Sequence, residues 1–166
     1  MRLFLFFWLI LLIGCRSHDS AILLPQGPIP DDMLITLRRS VCYGPCPDYT
    51  VTIAADGTVT FEGRQFVKTK GIAKGSLSRE GMRQLIAEFE RANYFSLNDK
   101  YQSAEDGCPE EWTDAPTAVT SIRINGKSKS VLHYHGCQDG QVVYPKALTA
   151  LENKIDESVG TNRWVK

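Results

Sequence analysis

The sequence predicts an α+β domain, an antiparallel sheet in the order ββββαββα with two amphipathic helices packed on one face. Three observations carry this. Short alternating segments flank Asp56-Gly57 and Asn125-Gly126, two strong hairpin signals. Met82, Leu85, Ile86 and Phe89 fall at helical spacing and form one apolar stripe. Leu148, Leu151, Ile155 and Val159 form a second. Hairpins and one-sided helices bury their apolar faces together when the helices lie across one side of the sheet.

Residues 33–41 read as the first strand, with Met33, Ile35 and Leu37 alternating with other residues. Residues 49–54 alternate again, with Tyr49, Val51 and Ile53 on one side and Thr50 and Thr52 on the other. Residues 58–62 return after the turn with Val59 and Phe61 on one face. A further short strand falls within residues 64–77, interrupted by Gly71 and Gly75. Ser78 is a good N-cap for the first helix. Gly81 lowers the helix propensity there, but the apolar stripe outweighs it. Residues 93–114 read as mostly irregular.

Residues 118–124 and 128–135 form the second hairpin. A two-residue turn at Asn125-Gly126 sets Ile122 opposite Lys129. A three-residue loop, Ile124-Asn125-Gly126, sets Ile122 opposite Ser128, on the face of Leu132 and Tyr134. The second register is preferred, because a one-residue slip exchanges the core face for the wet one. Pro145 suits the first turn of the last helix, and Gly160 ends it.

Ahead of the domain lies Met1-Arg2 and an apolar run from Leu3 that ends in Leu12-Ile13-Gly14-Cys15. A basic start, an apolar core and a small residue before a cysteine are the layout of a bacterial lipoprotein signal peptide. The run falls short of the roughly 20 residues that a spanning helix needs. Cleavage before Cys15 exposes its thiol and amine for acylation, and each buried CH2 adds about 0.8 kcal/mol to membrane attachment. The plain alternative is an ordinary secretory signal with a coincidental cysteine. By resemblance to the sorting signals of Gram-negative lipoproteins, in which an Asp at this position marks inner-membrane retention, Arg16 implies an outer membrane facing the periplasm if the cell is Gram-negative. Residues 1–14 are thus read as the signal peptide and 15–32 as the lipidated cysteine with a flexible tether. That tether carries Pro25, Pro28 and Pro30. Residues 33–166 are read as a single domain.

The full chain has 19 basic and 19 acidic residues. No basic surplus supports nucleic-acid binding. After Cys15 four cysteines remain: Cys42, Cys46, Cys108 and Cys137. In an exported protein an even set points to disulfides, and four cysteines allow three pairings.

Cys42-Tyr43-Gly44-Pro45-Cys46-Pro47-Asp48-Tyr49, followed by Asp56-Gly57-Thr58-Val59-Thr60-Phe61-Glu62-Gly63, resembles an uncharacterised domain family of bacterial lipoproteins and exported proteins. Its mark is Cys-x-Gly-x-Cys-Pro-x-Tyr before a β-hairpin. Asp114-Ala115-Pro116-Thr117, Ile124-Asn125-Gly126-Lys127 and Gly160-Thr161-Asn162-Arg163-Trp164 look like its later motifs. The resemblance covers about residues 34–164 and carries no activity. It implies a compact domain in which Cys42 and Cys46 form a local clasp. Together with chain geometry it favours Cys108 with Cys137 as the second pair.

Several chemistries compete with a purely structural reading. Cys42 and Cys46 as a redox pair lack the two-residue spacer and helix N-terminus usual in thiol exchange, so a clasp is preferred. His133-Tyr134-His135-Gly136-Cys137 is the sharpest chemical motif. An extended strand points both imidazoles the same way, and with a thiolate they suit Zn or Cu. Glu105, Asp106, Glu110 or Glu111 would supply a carboxylate if Cys108 lies near Cys137. A disulfide at Cys137 removes the thiolate, and the commoner arrangement is two histidines on the solvent face of the hairpin. The acidic stretch 105–114 lacks the alternating ligand pattern of a calcium loop. No Gly-x-Ser-x-Gly elbow, His-Glu-x-x-His or phosphate-cradling glycine loop is present.

Tyr43, Tyr49, Tyr94, Phe95, Tyr101 and Trp112 lie near predicted loops and would suit a surface for an envelope glycan or partner protein. The expectation is a non-catalytic binding or structural module without a cofactor. It would be tethered to a membrane through lipid on Cys15. The alternative is a periplasmic Zn- or Cu-binding protein using His133 and His135.

Overall fold

The computed structural model describes residues 27–166. Residues 1–14, read above as a signal peptide, Cys15 and most of the residues read as a tether lie outside the described residues. The expected elements are present: β1 (Leu34–Arg39), β2 (Asp48–Ala54), β3 (Thr58–Gln65) and β4 (Gly71–Ser76) precede α1 (Arg79–Arg91). Two short strands follow, β5 (Lys100–Tyr101) and β6 (Glu110–Glu111), then the hairpin β7 (Thr117–Ile124) and β8 (Lys127–Tyr134). β9 (Cys137–Asp139), β10 (Val142–Val143), α2 (Lys146–Val159) and α3 (Asn162–Val165) complete the domain.

Seven strands form the main sheet in the order β4-β3-β2-β1-β7-β8-β5. All neighbours in it are antiparallel except β5, which runs parallel to β8. The pleat gathers the core onto one face. Leu37 lies opposite both Val51 and Thr120, Val51 opposite Phe61, and Thr120 opposite Val131. Leu85 and Phe89 of α1 and Leu148, Leu151 and Ile155 of α2 are buried in the same core. This is the α+β arrangement that the sequence predicts.

The start of α1 follows from Ser78, whose Oγ accepts the Gly81 N–H at 3.1 Å. Ser78→Ala removes that acceptor and is expected to cost about 1 kcal/mol. The check is a urea unfolding curve with a lowered midpoint and an unchanged slope. The end of α2 follows from Gly160, which takes a left-handed conformation with φ 65°. The chain then turns into α3, whose Trp164 stacks on Phe61 with ring centroids 5.0 Å apart. Phe61 in turn stacks on Tyr49 at 5.3 Å.

The β7–β8 register differs from the one preferred above. The turn has two residues, pairing Ile124 with Lys127 and Ile122 with Lys129. Asn125 and Gly126 both have positive φ, 52° and 71°, the combination that matches the twist of a two-residue hairpin. The carboxylate of Asp32 locks it by accepting the Asn125 N–H at 2.9 Å and the Gly126 N–H at 2.7 Å. The inward residues of β8 are therefore Val131 and His133, not Leu132 and Tyr134. Lys129 shares their face at the sheet margin, where its Nζ reaches Asp99 at 2.7 Å.

Two further features extend the expected element list. Residues 93–114 are mostly turns, but they supply β5 and β6. β6, β9 and β10 build a small second sheet, in the order β10-β9-β6, beside the main one. Ile29, read above as part of the tether, packs into the core.

Candidate functional site

The site forms where α2 crosses the ends of β1, β2 and β8. Leu148, Leu151, Ile155 and Val159 direct one face of α2 into the core, and Glu152 lies on that same face. Asp156 follows one turn later. Opposite them stand His133 of β8 and His135, one residue past its end, and both reach Glu152. β1 adds Arg39 and β2 adds Tyr49.

Glu152 is the centre of this cluster. Its Oε1 lies 2.6 Å from His133 Nδ1, and its Oε2 lies 2.7 Å from His135 Nε2. Arg39 Nη1 approaches Oε2 at 3.4 Å. Glu152 and His133 are fully buried, and the side chain of His135 is 17% exposed. The other nitrogen of His133, Nε2, donates to the Tyr144 carbonyl at 3.0 Å. A carbonyl only accepts, so this geometry fixes which ring nitrogen bears the hydrogen.

Arg39 extends the cluster toward the surface. Its Nε donates to Asp156 Oδ2 at 2.8 Å, and the Tyr49 hydroxyl donates to Asp156 Oδ1 at 2.8 Å. This end opens into a cleft of about 580 Å³ lined by Arg39, Tyr49, Asn153, Asp156 and Asn162, among others.

Electrostatics follow the contacts. Burial alone would raise the Glu152 pKa, but hydrogen bonds from His133 and His135 outweigh it and hold the carboxyl at about 2. Burial works against the Arg39 charge, while Asp156, Tyr49 and Glu152 favour it and lift its pKa above the usual value. Burial, reinforced by the Asp156 charge, pushes the Tyr49 hydroxyl up.

The histidines therefore do not occupy a solvent face, as expected above for two histidines on a hairpin. The two-residue turn directs them toward α2, and a carboxylate there compensates the burial of an imidazole. The nearby carboxylate is Glu152, not one from the acidic stretch. Glu111 instead accepts the Ala104 N–H at 2.8 Å, and Asp106 pairs with Lys100 at 3.0 Å.

The cysteines pair within the described residues as Cys42 with Cys46 and Cys108 with Cys137. Their Cα atoms lie 5.5 and 5.4 Å apart, within ordinary disulfide range. Cys137 is thereby separated from the histidine cluster as a donor. Of the aromatics near loops, Tyr49, Tyr94 and Tyr101 are buried, while Tyr43, Phe95 and Trp112 are exposed.

Glu152, Asp156 and Arg39 were not singled out from sequence. One signal existed: Glu152 lies four residues after Leu148 and one after Leu151, inside the apolar stripe. A charged residue at a core-facing helix position needs a buried partner.

The fold and site define an α+β domain whose helix α2 is joined to its sheet through a buried His–Glu–Arg–Asp network. Residues 33–159 match the family described as a domain of unknown function, DUF6438, and the chain belongs to that family. No curated protein matches it.

Proposed function

We propose that the protein is an envelope lipoprotein, exported, acylated on Cys15 and held near a membrane surface as a binding or structural module. The observation that carries this reading is the pairing of all four cysteines of the described domain at disulfide distance. Structural crosslinks of this kind persist in oxidising compartments. The segment Leu12-Ile13-Gly14-Cys15 supplies a matching export and lipidation signal.

No helix among the described residues is long and apolar enough to cross a membrane. In this reading attachment runs through the acyl chains on Cys15, and residues 16–32 set the reach to the surface. At about 3.3 Å per extended residue they span roughly 55 Å at most. Ordering of Ile29 to Asp32 against the domain shortens that reach. The partner is an envelope protein or glycan rather than nucleic acid, in keeping with the balanced charge.

The test is mass spectrometry of the protein recovered from its native membranes. The expected result is a chain beginning at acylated Cys15 with no free thiol. Cys15→Ser is expected to abolish acylation and move the protein out of the membrane fraction. Unacylated protein in the cytosol with reduced cysteines would overturn the reading.

A further inference from the structure

Two carboxylates, Glu152 and Asp156, enter the space between α2 and the sheet, and Arg39 faces both. Arg39 is committed mainly to Asp156, at 2.8 Å against 3.4 Å for Glu152. The charge of Glu152 is therefore balanced chiefly by what lies between it and the two imidazoles. With its hydrogen fixed on Nε2 by the Tyr144 carbonyl, a neutral His133 presents the lone pair of Nδ1 to Oε1. Two acceptors at 2.6 Å repel unless a cation sits between them. That cation is either a proton or a metal ion.

The same arrangement is what a metal ligand requires. Ligating histidines donate their second ring N–H to a carbonyl or carboxylate, which fixes the tautomer and aims the free nitrogen. One nitrogen from each imidazole and one Glu152 oxygen all lie within 4.8 Å of one another. We propose that His133 Nδ1, His135 Nε2 and Glu152 bind a divalent transition ion of the zinc type. The site is additional to the membrane-tethering role and does not depend on it.

Two nitrogens and one carboxylate suit zinc or copper better than magnesium or calcium, which prefer oxygen donors throughout. With metal–ligand distances of about 2.0–2.2 Å, donors around a tetrahedral zinc stand roughly 3.3 Å apart. The present contacts of 2.6 Å to Oε1 and 2.7 Å to Oε2 widen to that spacing when an ion enters. His135, just past the end of β8 and partly exposed, is the ligand with room to move. Three protein donors leave the fourth tetrahedral position for water.

The test uses the full chain in detergent with its disulfides intact. It is treated with chelator, dialysed and titrated calorimetrically with Zn²⁺ at neutral pH. One equivalent is expected to bind with a dissociation constant below about 1 μM, with no competition from excess Mg²⁺ or Ca²⁺. His135→Ala is expected to weaken binding at least 100-fold while leaving the circular dichroism spectrum unchanged. Glu152→Gln is expected to weaken it similarly, and if that variant does not fold, His135→Ala decides. Less than one equivalent taken up by the wild type overturns the site. Undiminished binding by folded His135→Ala places any ion elsewhere and overturns it equally.

Discussion

Glu152→Ala is expected to cost about 3–5 kcal/mol of folding stability, the loss typical of removing one partner from a buried ionic cluster. That is a large share of the roughly 5–15 kcal/mol that holds a domain folded. The variant leaves His133 Nδ1, His135 Nε2 and Arg39 Nη1 without their shared partner. It also opens a void against the sheet, because the removed carboxylate is fully buried. Glu152→Gln keeps the shape and one acceptor but removes the charge that the two imidazoles and Arg39 face. Its expected cost is about 1–3 kcal/mol. Urea unfolding followed by circular dichroism measures both. A wild-type midpoint in Glu152→Ala would mean that hydrophobic contacts alone fasten α2.

The same carboxylate gives chelator-treated protein a defined acid response. Glu152 ionises at about 2 in the folded chain, against an ordinary value of 4.5. A depressed acid pKa contributes stability that is fully present above the unfolded value and lost as pH falls through the folded one. Between those two values the unfolded state binds the extra proton, so stability falls with pH across that window. The contribution at stake is about 3 kcal/mol. Glu152→Gln lacks this group, so the wild-type advantage over the variant should shrink from pH 5 to pH 2. Stability measured at intervals over this range reads the difference directly. A constant advantage would place the source of the variant's instability in shape rather than charge.

The frame of this domain was legible because its signals are local. Asp56-Gly57 and Ser78, with the stripe Leu148 to Val159, each act within a few residues, and each sits where its own chemistry directs. The second hairpin shows where locality ends. Asn125-Gly126 announced a turn, but Asp32, more than ninety residues away in sequence, clamps the two-residue form. The preference for Leu132 over His133 as a core residue treated polarity as a mark of exposure. Glu152 reverses that, since a carboxylate on a distant helix makes a buried imidazole affordable. The site was thus half visible: the His133–His135 spacing marked a pair, while its third member lay inside a stripe that otherwise reads as pure core. β5, β6, β9 and β10 were invisible for a different reason. Strands of two or three residues have too few positions to display a period.

Removing the Cys108–Cys137 crosslink is expected to do more damage than removing Cys42–Cys46. The first closes a loop of 29 residues and the second one of 4. In the loop-entropy account these correspond to about 3.6 and about 2 kcal/mol respectively. The larger effect also reaches the candidate site. Cys137 is fully buried, and its carbonyl accepts the Tyr144 N–H at 2.9 Å. The Tyr144 carbonyl in turn holds His133 Nε2. Paired Cys108→Ala/Cys137→Ala substitutions should therefore lower the urea midpoint and speed hydrogen exchange at the Tyr144 amide. Cys42→Ala/Cys46→Ala should lower the midpoint less and leave that amide protected, because its loop lies at the entry to β2. Equal losses in the two variants, or a protected Tyr144 amide in both, would separate the long crosslink from the histidine cluster. The small sheet would then be an appendage, and β8 with α2 would hold the buried network by themselves.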